Sequence, residues 1–131
     1  MSDKIIFGEI NIQPLLDAKA NFDDNLDKVE DDLDRAGMIQ YFEFCFELSW
    51  KTLKKILRYK GEQVSNLGPR DIFRAAARYD LLSDPEKWFQ FLEDRNMTSH
   101  TYKEETAQYV FSQLSSFKVE LNDTVERILA L

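Results

Sequence analysis

The feature that most constrains the fold is a stripe of apolar residues spaced three and four apart in the C-terminal part of the chain. Its members are Ala107, Val110, Leu114, Phe117, Leu121, Val125 and Ile128. This spacing places one apolar side chain on the same face of an α-helix in every turn. The stripe therefore predicts a long amphipathic helix that packs against other helices and continues almost to the C-terminus.

Two further long helices are predicted upstream. The first covers about residues 13–36, with Pro14 in its first turn and Gly37 as a left-handed stop. The second covers about residues 38–60 and ends before Gly61. In the run YFEFCFELSW this helix is apolar around most of its circumference. That pattern is typical of a central helix, or of a helix that packs against a second partner.

Prolines mark two shorter helices between the second long helix and the last. Pro69 starts one that ends near Tyr79, and Pro85 starts the other, with Ser83 and Glu86 as its capping box. No repeat, low-complexity segment or convincing strand is found. The 131 residues contain only four glycines and three prolines. The sequence therefore predicts a single all-α domain over residues 1–131, an antiparallel up-and-down helical bundle with three long and two shorter helices.

The charge distribution is uneven. The net charge of −7 argues against a protein that coats nucleic acid, and DNA is not an expected ligand. Between residues 51 and 78 the balance reverses, and such a basic segment attracts phosphate, RNA or an acidic partner. The alternative is a solvated helix face that balances acidic neighbours. The candidate phosphate- or RNA-binding residues are Lys51, Lys55, Arg58, Arg70 and Arg74.

The remaining composition predicts a cytoplasmic protein without a cofactor. The chain contains no run of about 18 apolar residues to span a membrane, and its start lacks the layout of a secretory signal. Cys45 is the single cysteine and lies in an apolar run. It is expected to fill the core, with a nucleophile or a ligand as the alternative. One histidine without a carboxylate pair beside it fits metal binding badly, so no metal is expected.

The run RNMTSHTY, residues 95–102, contains the only histidine of the chain, His100. On a continuous helix Arg95 and His100 would lie about 140° apart, so a shared site requires a break. The capping types Thr98, Ser99 and Thr101 favour that break, and Thr101 with Glu104 forms a potential capping box.

A break at this point would place His100 at the start of the last helix, where free N–H groups and partial positive charge favour phosphate. Arg95 would bind phosphate oxygens beside it. Without a metal, the two side chains suit RNA cleavage: the ribose 2′-OH attacks, His100 acts as acid or base, and Arg95 stabilises the charged transition state. A capping or core histidine is the alternative that spacing alone leaves open.

These residues resemble a known signature. RNMTSHTY is similar to the Arg-x4-His-x-Tyr signature of the HEPN superfamily. YFEFCFELSWKTLKKIL and GPRDIFRAAARYDLL resemble the nucleotidyltransferase substrate-binding branch of that superfamily, and the resemblance covers nearly the whole chain. It implies a small helical homodimer that is produced beside a minimal nucleotidyltransferase encoded nearby.

The resemblance implies two roles. In one, the homodimer is an RNase toxin with Arg95 and His100 in its active site and Asn96 assisting, and the nucleotidyltransferase is an antitoxin that adds AMP to Tyr102. In the other, the bundle is a non-catalytic subunit that binds a nucleotide or other substrate and completes its partner enzyme. A purely structural interaction module is a third interpretation. Asn96 as a solvated or capping residue and Tyr102 as an ordinary helix-start aromatic also stay open.

Overall fold

The computed structural model describes residues 2–131, which are mostly helical. In chain order the elements are strands β1 (Ile5–Ile6) and β2 (Ile10–Asn11), then helices α1 (Gln13–Asn25), α2 (Asp32–Tyr59), α3 (Pro69–Arg78), α4 (Pro85–Met97), α5 (Glu104–Ser112) and α6 (Leu114–Leu129). Short 3-10 turns cover Leu26–Lys28 and Thr98–His100. The helical-bundle class predicted from the sequence is confirmed. Within the described residues, no helix is both long enough and apolar enough to cross a membrane.

Helix α2 lies at the centre of the bundle, as its apolar surface on most sides predicts, and it packs against all five other helices. Its side chains Phe42, Phe46 and Leu53 are fully buried. Phe42 meets Phe117 of α6 edge to face, with ring centroids 4.8 Å apart, and Trp88 of α4 packs against Phe117 at 5.7 Å. Such edge-to-face contacts stabilise a core beyond simple burial. They hold α6 against the central helix and α4 against α6.

The apolar stripe at the end of the chain is buried as predicted, but it belongs to two helices. Its first two residues lie on α5 and the other five on α6. The helices meet at Gln113, which is neither glycine nor proline. Just before it, the Ser112 hydroxyl donates a hydrogen bond to the carbonyl of Tyr109 at 2.5 Å. Side-chain bonds of this kind to the preceding turn compete with the helix ladder and bend it.

The predicted boundary between the first two helices is wrong, because Gly37 lies inside α2. Asp31 caps that helix, and its carboxylate accepts a hydrogen bond from the N–H of Asp34 at 2.8 Å. Asp32 and Asp34 in the first turn also favour a helix start, since they complement the positive end of the helix dipole. The glycine stop after α2 is confirmed, with Gly61 at a φ of 97°.

A short hairpin precedes α1, although no strand was predicted. Strands β1 and β2 pair antiparallel, with Ile6 opposite Ile10, and both side chains are buried. Phe7 and Gly8 turn the chain with φ values of 54° and 74°. Phe7 also stacks on Tyr59 at the end of α2, with ring centroids 4.3 Å apart. A strand of two residues is too short to show an alternating apolar pattern, so periodicity in the sequence could not predict this hairpin.

The capping box predicted from Ser83 and Glu86 is also wrong. Asp84 caps α4 instead, and its carboxylate accepts a hydrogen bond from the N–H of Glu86 at 3.0 Å. The Ser83 hydroxyl points to α6 and donates to Glu120 at 3.2 Å. Helices α3 and α4 begin at their prolines as predicted.

Candidate functional site

The motif RNMTSHTY lies where α4 ends, and the break predicted there is confirmed. Arg95 is in the last turn of α4, the turn Thr98–His100 follows, and α5 starts at Glu104. The buried hydroxyl of Thr98 donates to the carbonyl of Arg95 at 2.7 Å and accepts from its guanidinium Nη1 at 3.1 Å. One hydroxyl therefore helps to end the helix and holds the arginine side chain against the same turn.

The turn after α4 brings His100 to the surface. The imidazole is exposed and meets the ring of Tyr102 edge on, with centroids 6.1 Å apart. The Tyr102 side chain is 77% exposed, and that of Asn96 is exposed as well. His100 is therefore not a core residue, and it is not the cap of α5, which is Lys103. Thr101 does not cap α5 either, because its hydroxyl donates to the carbonyl of Thr98.

Arg95 faces two carboxylates of α2, which belong to a polar line on one side of that helix: Glu43, Glu47, Lys51 and Lys55. Its Nη1 lies 3.5 Å from Glu43, and its Nε lies 3.7 Å from Glu47. The Nε is buried and donates no hydrogen bond within residues 2–131. Both ion pairs are longer than the 2.7–2.9 Å or so that is typical of a charge-assisted hydrogen bond. A phosphate oxygen would therefore compete with weakly held partners for this guanidinium.

The start of α5, where the sequence predicts a phosphate seat, is acidic. The first turn of α5 carries Glu104 and Glu105. Arg35 of α2 donates to both oxygens of Glu104, each at 2.8 Å, and these hydrogen bonds lower the pKa of that carboxyl group. These two glutamates complement the positive helix end and disfavour a phosphate there. Within the motif, Arg95 is therefore the side chain that we expect to attract an anion.

A cavity of about 250 Å³ lies between the first half of α2 and the motif turn. Arg35, Ile39 and Glu43 line it from α2, and Thr101 lines it from the turn. Glu43, which lines this cavity, also pairs with Arg95. The fold thus joins the motif to α2, a contact that spacing within the motif does not indicate.

Asp94 is fully buried beside the motif arginine. One carboxylate oxygen accepts hydrogen bonds from the Tyr109 hydroxyl at 3.0 Å and the Gln90 amide at 3.1 Å. The other oxygen has no hydrogen-bond partner in the described chain. Burial raises the pKa of Asp94, and burial together with this carboxylate raises the pKa of Tyr109. The Asp94–Tyr109 bond ties α4 to α5 across the turn that carries His100.

The basic residues proposed for phosphate fall into two groups on two helices. Lys51, Lys55 and Arg58 are exposed on the outer side of α2 and line a cavity of about 380 Å³. Arg70 and Arg74 lie on α3, where their guanidinium carbons stand 4.7 and 5.2 Å from the ring centre of Phe89.

Cys45 is buried in α2 and fills the core as expected. Burial raises the pKa of its thiol to about 12, so it stays protonated at neutral pH and is a poor nucleophile. Over residues 2–131, no three His, Cys, Asp or Glu side chains come together in a metal-binding group.

Known proteins resemble the chain in sequence. The sequence model of a family described as nucleotidyltransferase substrate binding protein-like matches residues 11–129. A probable ribonuclease HepT of Haemophilus influenzae is 38% identical over 96 residues, which are 71% of this chain and 66% of that protein. The match thus spans about two thirds of the relative's own length.

Solved structures share the fold. One, from Haemophilus influenzae, is described as revealing the fold of a substrate-binding domain of a nucleotidyltransferase. It superposes with a TM-score of 0.82 at 32% identity and covers 89% of this chain and 98% of that one. A crystal structure from Thermus thermophilus superposes with a TM-score of 0.76 at 29% identity, covering 86% and 97% of the two chains.

Proposed function

The chain belongs to the family of nucleotidyltransferase substrate-binding-like proteins, and on that premise we propose that it is the HEPN-type subunit of a pair with a minimal nucleotidyltransferase. It acts as a metal-independent endoribonuclease toxin through Arg95 and His100, with Asn96 assisting. The partner neutralises it by adding AMP to Tyr102. The observation that carries the proposal is the turn after α4, which tethers Arg95 and leaves His100 and Tyr102 at the surface.

The chemistry follows from the side chains that the turn presents. The 2′-OH of the substrate ribose attacks the adjacent phosphorus, the bond from phosphorus to the 5′ oxygen breaks, and a 2′,3′-cyclic phosphate remains. A base must take the proton of the 2′-OH, and an acid must donate one to the leaving oxygen. Arg95 stabilises the charge that develops on the phosphate. A single His100 cannot be base and acid at once, so the site needs a second copy.

A two-fold homodimer supplies the second histidine. The outer face of α2 offers the contact surface, since Leu33 is 82% exposed and Phe44 is 50% exposed. Large apolar side chains exposed together on one helix are typical of an interaction surface. Phe44 follows Glu43, the residue that pairs with Arg95. Two copies that meet through this face would therefore bring their motifs close to each other.

The name of the relative supports the RNase role, because a protein that is 38% identical over the matched region is called a probable ribonuclease. The alternative is a non-catalytic subunit that binds a nucleotide or other substrate and completes the partner enzyme. Two observations favour it: Arg95 is already paired with Glu43 and Glu47, and a structural relative is described as a substrate-binding domain.

Cleavage of RNA in the presence of EDTA tests the proposed function. Purified protein should leave 2′,3′-cyclic phosphate ends, and Arg95→Ala or His100→Ala should lower the rate about a hundredfold or more, since each removes a transition-state contact. Ser99→Ala is the matched control. Ser99 is exposed in the same turn and donates only a long hydrogen bond, 3.3 Å, to the carbonyl of Asn96, so its rate should stay near that of wild type.

An inert wild-type protein, or full activity in both motif variants, would contradict the RNase function. Calorimetric titration with nucleotides, alone and with the nucleotidyltransferase, would then test the substrate-binding alternative. Circular dichroism of each variant separates a lost fold from a lost reaction.

A further inference from the structure

We propose that the single strand of RNA beside the cleaved phosphate is held along α2 by a row of cations that begins next to Arg95. This row, the α2 track, consists of Lys51, Lys54, Lys55 and Arg58. The inference rests on the RNase function proposed above and adds a substrate class to it. The substrate is single-stranded RNA that extends several nucleotides beyond the cleaved bond.

The α2 track meets the motif at Glu47. The Nε of Arg95 lies 3.7 Å from one oxygen of this carboxylate, and the Nζ of Lys51 lies 3.7 Å from the other. The second oxygen also accepts a hydrogen bond from the indole N–H of Trp50 at 3.1 Å. The motif arginine and the first track lysine thus flank one carboxylate whose charge is shared among three donors. A phosphodiester backbone that runs past Glu47 would contact Arg95 on one side and Lys51 on the other.

From Lys51 the track follows the helix axis. Lys51, Lys55 and Arg58 are four and three residues apart, so their side chains lie one above another on the same face. At a rise of 1.5 Å per residue they cover about 10 Å, which is more than one phosphate group occupies. Lys54 flanks this row, with its Nζ 5.8 Å from the ring centre of Trp50.

The cations of the track border open space. Lys55 and Arg58 line the cavity of about 380 Å³ beside Trp50 and a neighbouring cavity of about 390 Å³ against the hairpin. Asn11 also lines both cavities, so they form one groove. Arg70 and Arg74 of α3 do not line this groove; they stack on Phe89 and pair with Glu93 and Asp71. Arg70 and Arg74 are therefore not part of the α2 track.

Charge and shape identify the occupant as one strand of RNA. The chain has a net charge of −7, yet four cations line this groove, which favours a polyanion. The ligand shared by the track and the motif is the phosphodiester. A single row of cations follows one backbone, whereas an A-form duplex presents two backbones across a wide groove. An acidic protein segment is the rival occupant.

Salt dependence of binding tests the α2 track. The probe is a short, labelled 2′-O-methyl oligoribonucleotide, which has no free 2′-OH and is not cleaved, and the readout is fluorescence anisotropy. In Lys55→Gln/Arg58→Gln, the slope of log Kd against log salt should fall by about 1.4, because two contacts of about 0.7 each are lost from a single strand. Lys28→Gln/Lys118→Gln removes the same charge from other elements and should keep the wild-type slope.

Equal losses of slope in the two double variants would indicate a general charge effect and overturn the track, as would a wild-type slope in Lys55→Gln/Arg58→Gln. Loss of binding to polyglutamate without loss of binding to the oligonucleotide would favour the acidic protein segment instead. Because the probe is not cleaved, a wild type that fails to cut RNA would contradict the proposed reaction and leave this slope unchanged. The two failures are thus distinguishable.

Discussion

Among single residues, Thr98 determines how the motif arginine is held. Its hydroxyl bonds both the carbonyl and the guanidinium of Arg95, so the side chain folds back onto its own turn. There the guanidinium lies 3.5 Å from Glu43 and 3.7 Å from Glu47. These distances leave its hydrogen-bonding capacity largely unused, since strong charge-assisted bonds are about 2.7–2.9 Å long. The protein thus holds Arg95 in place without saturating its guanidinium, as the proposed contact with a phosphate requires.

Tyr102 is the residue at which we expect modification. Its ring is 77% exposed and edge on to His100, so AMP on its hydroxyl would place a negative phosphodiester and a bulky nucleoside beside the motif. RNA would then be excluded by bulk and by like charge. Coexpression with the nucleotidyltransferase should raise the mass in AMP units at Tyr102. Tyr102→Phe should stay RNase-active and escape neutralisation.

Tyr109 is an internal control for that experiment. It is 36% exposed, but its hydroxyl donates to the buried Asp94 at 3.0 Å, so it should remain unmodified. An unchanged mass, or a label at a residue other than Tyr102, would mean that inhibition comes from complex formation alone.

Among the elements, α2 starts at Asp32, directly after its cap Asp31, and runs through Gly37. Two substitutions probe this start by urea denaturation at matched subunit concentration. Asp31→Ala removes the cap and should lower the free energy of unfolding by about 1 kcal/mol. Gly37→Ala should raise it by about 0.5–1 kcal/mol. A Cβ at Gly37 meets nothing within 4 Å, and its backbone is helical.

A lower free energy of unfolding for Gly37→Ala would contradict this helix start. If Gly37→Ala destabilised the protein, the glycine would occupy the left-handed stop that its sequence context suggests, and α2 would start after it. Loss of stability at Asp31 together with a gain at Gly37 fits only a helix that runs through the glycine.

The sequence predicts the buried faces of the helices well, because the core requires apolar side chains at helical spacing. Leu114 and Phe117 had to be inside whichever way the helix bends. It predicts boundaries less well, since Asp31 and Gly37 both carry valid helix-end signals and packing selects between them. The break after Arg95 could be inferred from the capping residues in the motif. The pairing of Arg95 with Glu43 could not, because it depends on how α4 packs against α2.

For the whole molecule, the proposed RNase function requires a dimer, because the exposed motif of one copy does not make a complete acid–base site. Each copy offers one imidazole on one turn, whereas cleavage needs a base and an acid. The apolar side chains exposed on the first half of α2 lie on the same helix as the carboxylates that hold Arg95. The second half of α2 bears the cations of the α2 track. In the proposed assembly, the dimer contact, the carboxylates that pair with Arg95 and the α2 track therefore follow one another along this central helix.

Mixed dimers of wild-type and His100→Ala subunits test whether cleavage needs both histidines of a dimer. The subunits are unfolded and refolded together in known ratios, light scattering confirms the dimer, and RNA cleavage is measured at constant total concentration. If both histidines of a dimer are needed, activity follows the square of the wild-type fraction, so an equal mixture retains about one quarter of the wild-type rate. Mixtures with Ser99→Ala should keep the full rate. A linear decline to about half, or cleavage by a monomer, would contradict a site built from two copies.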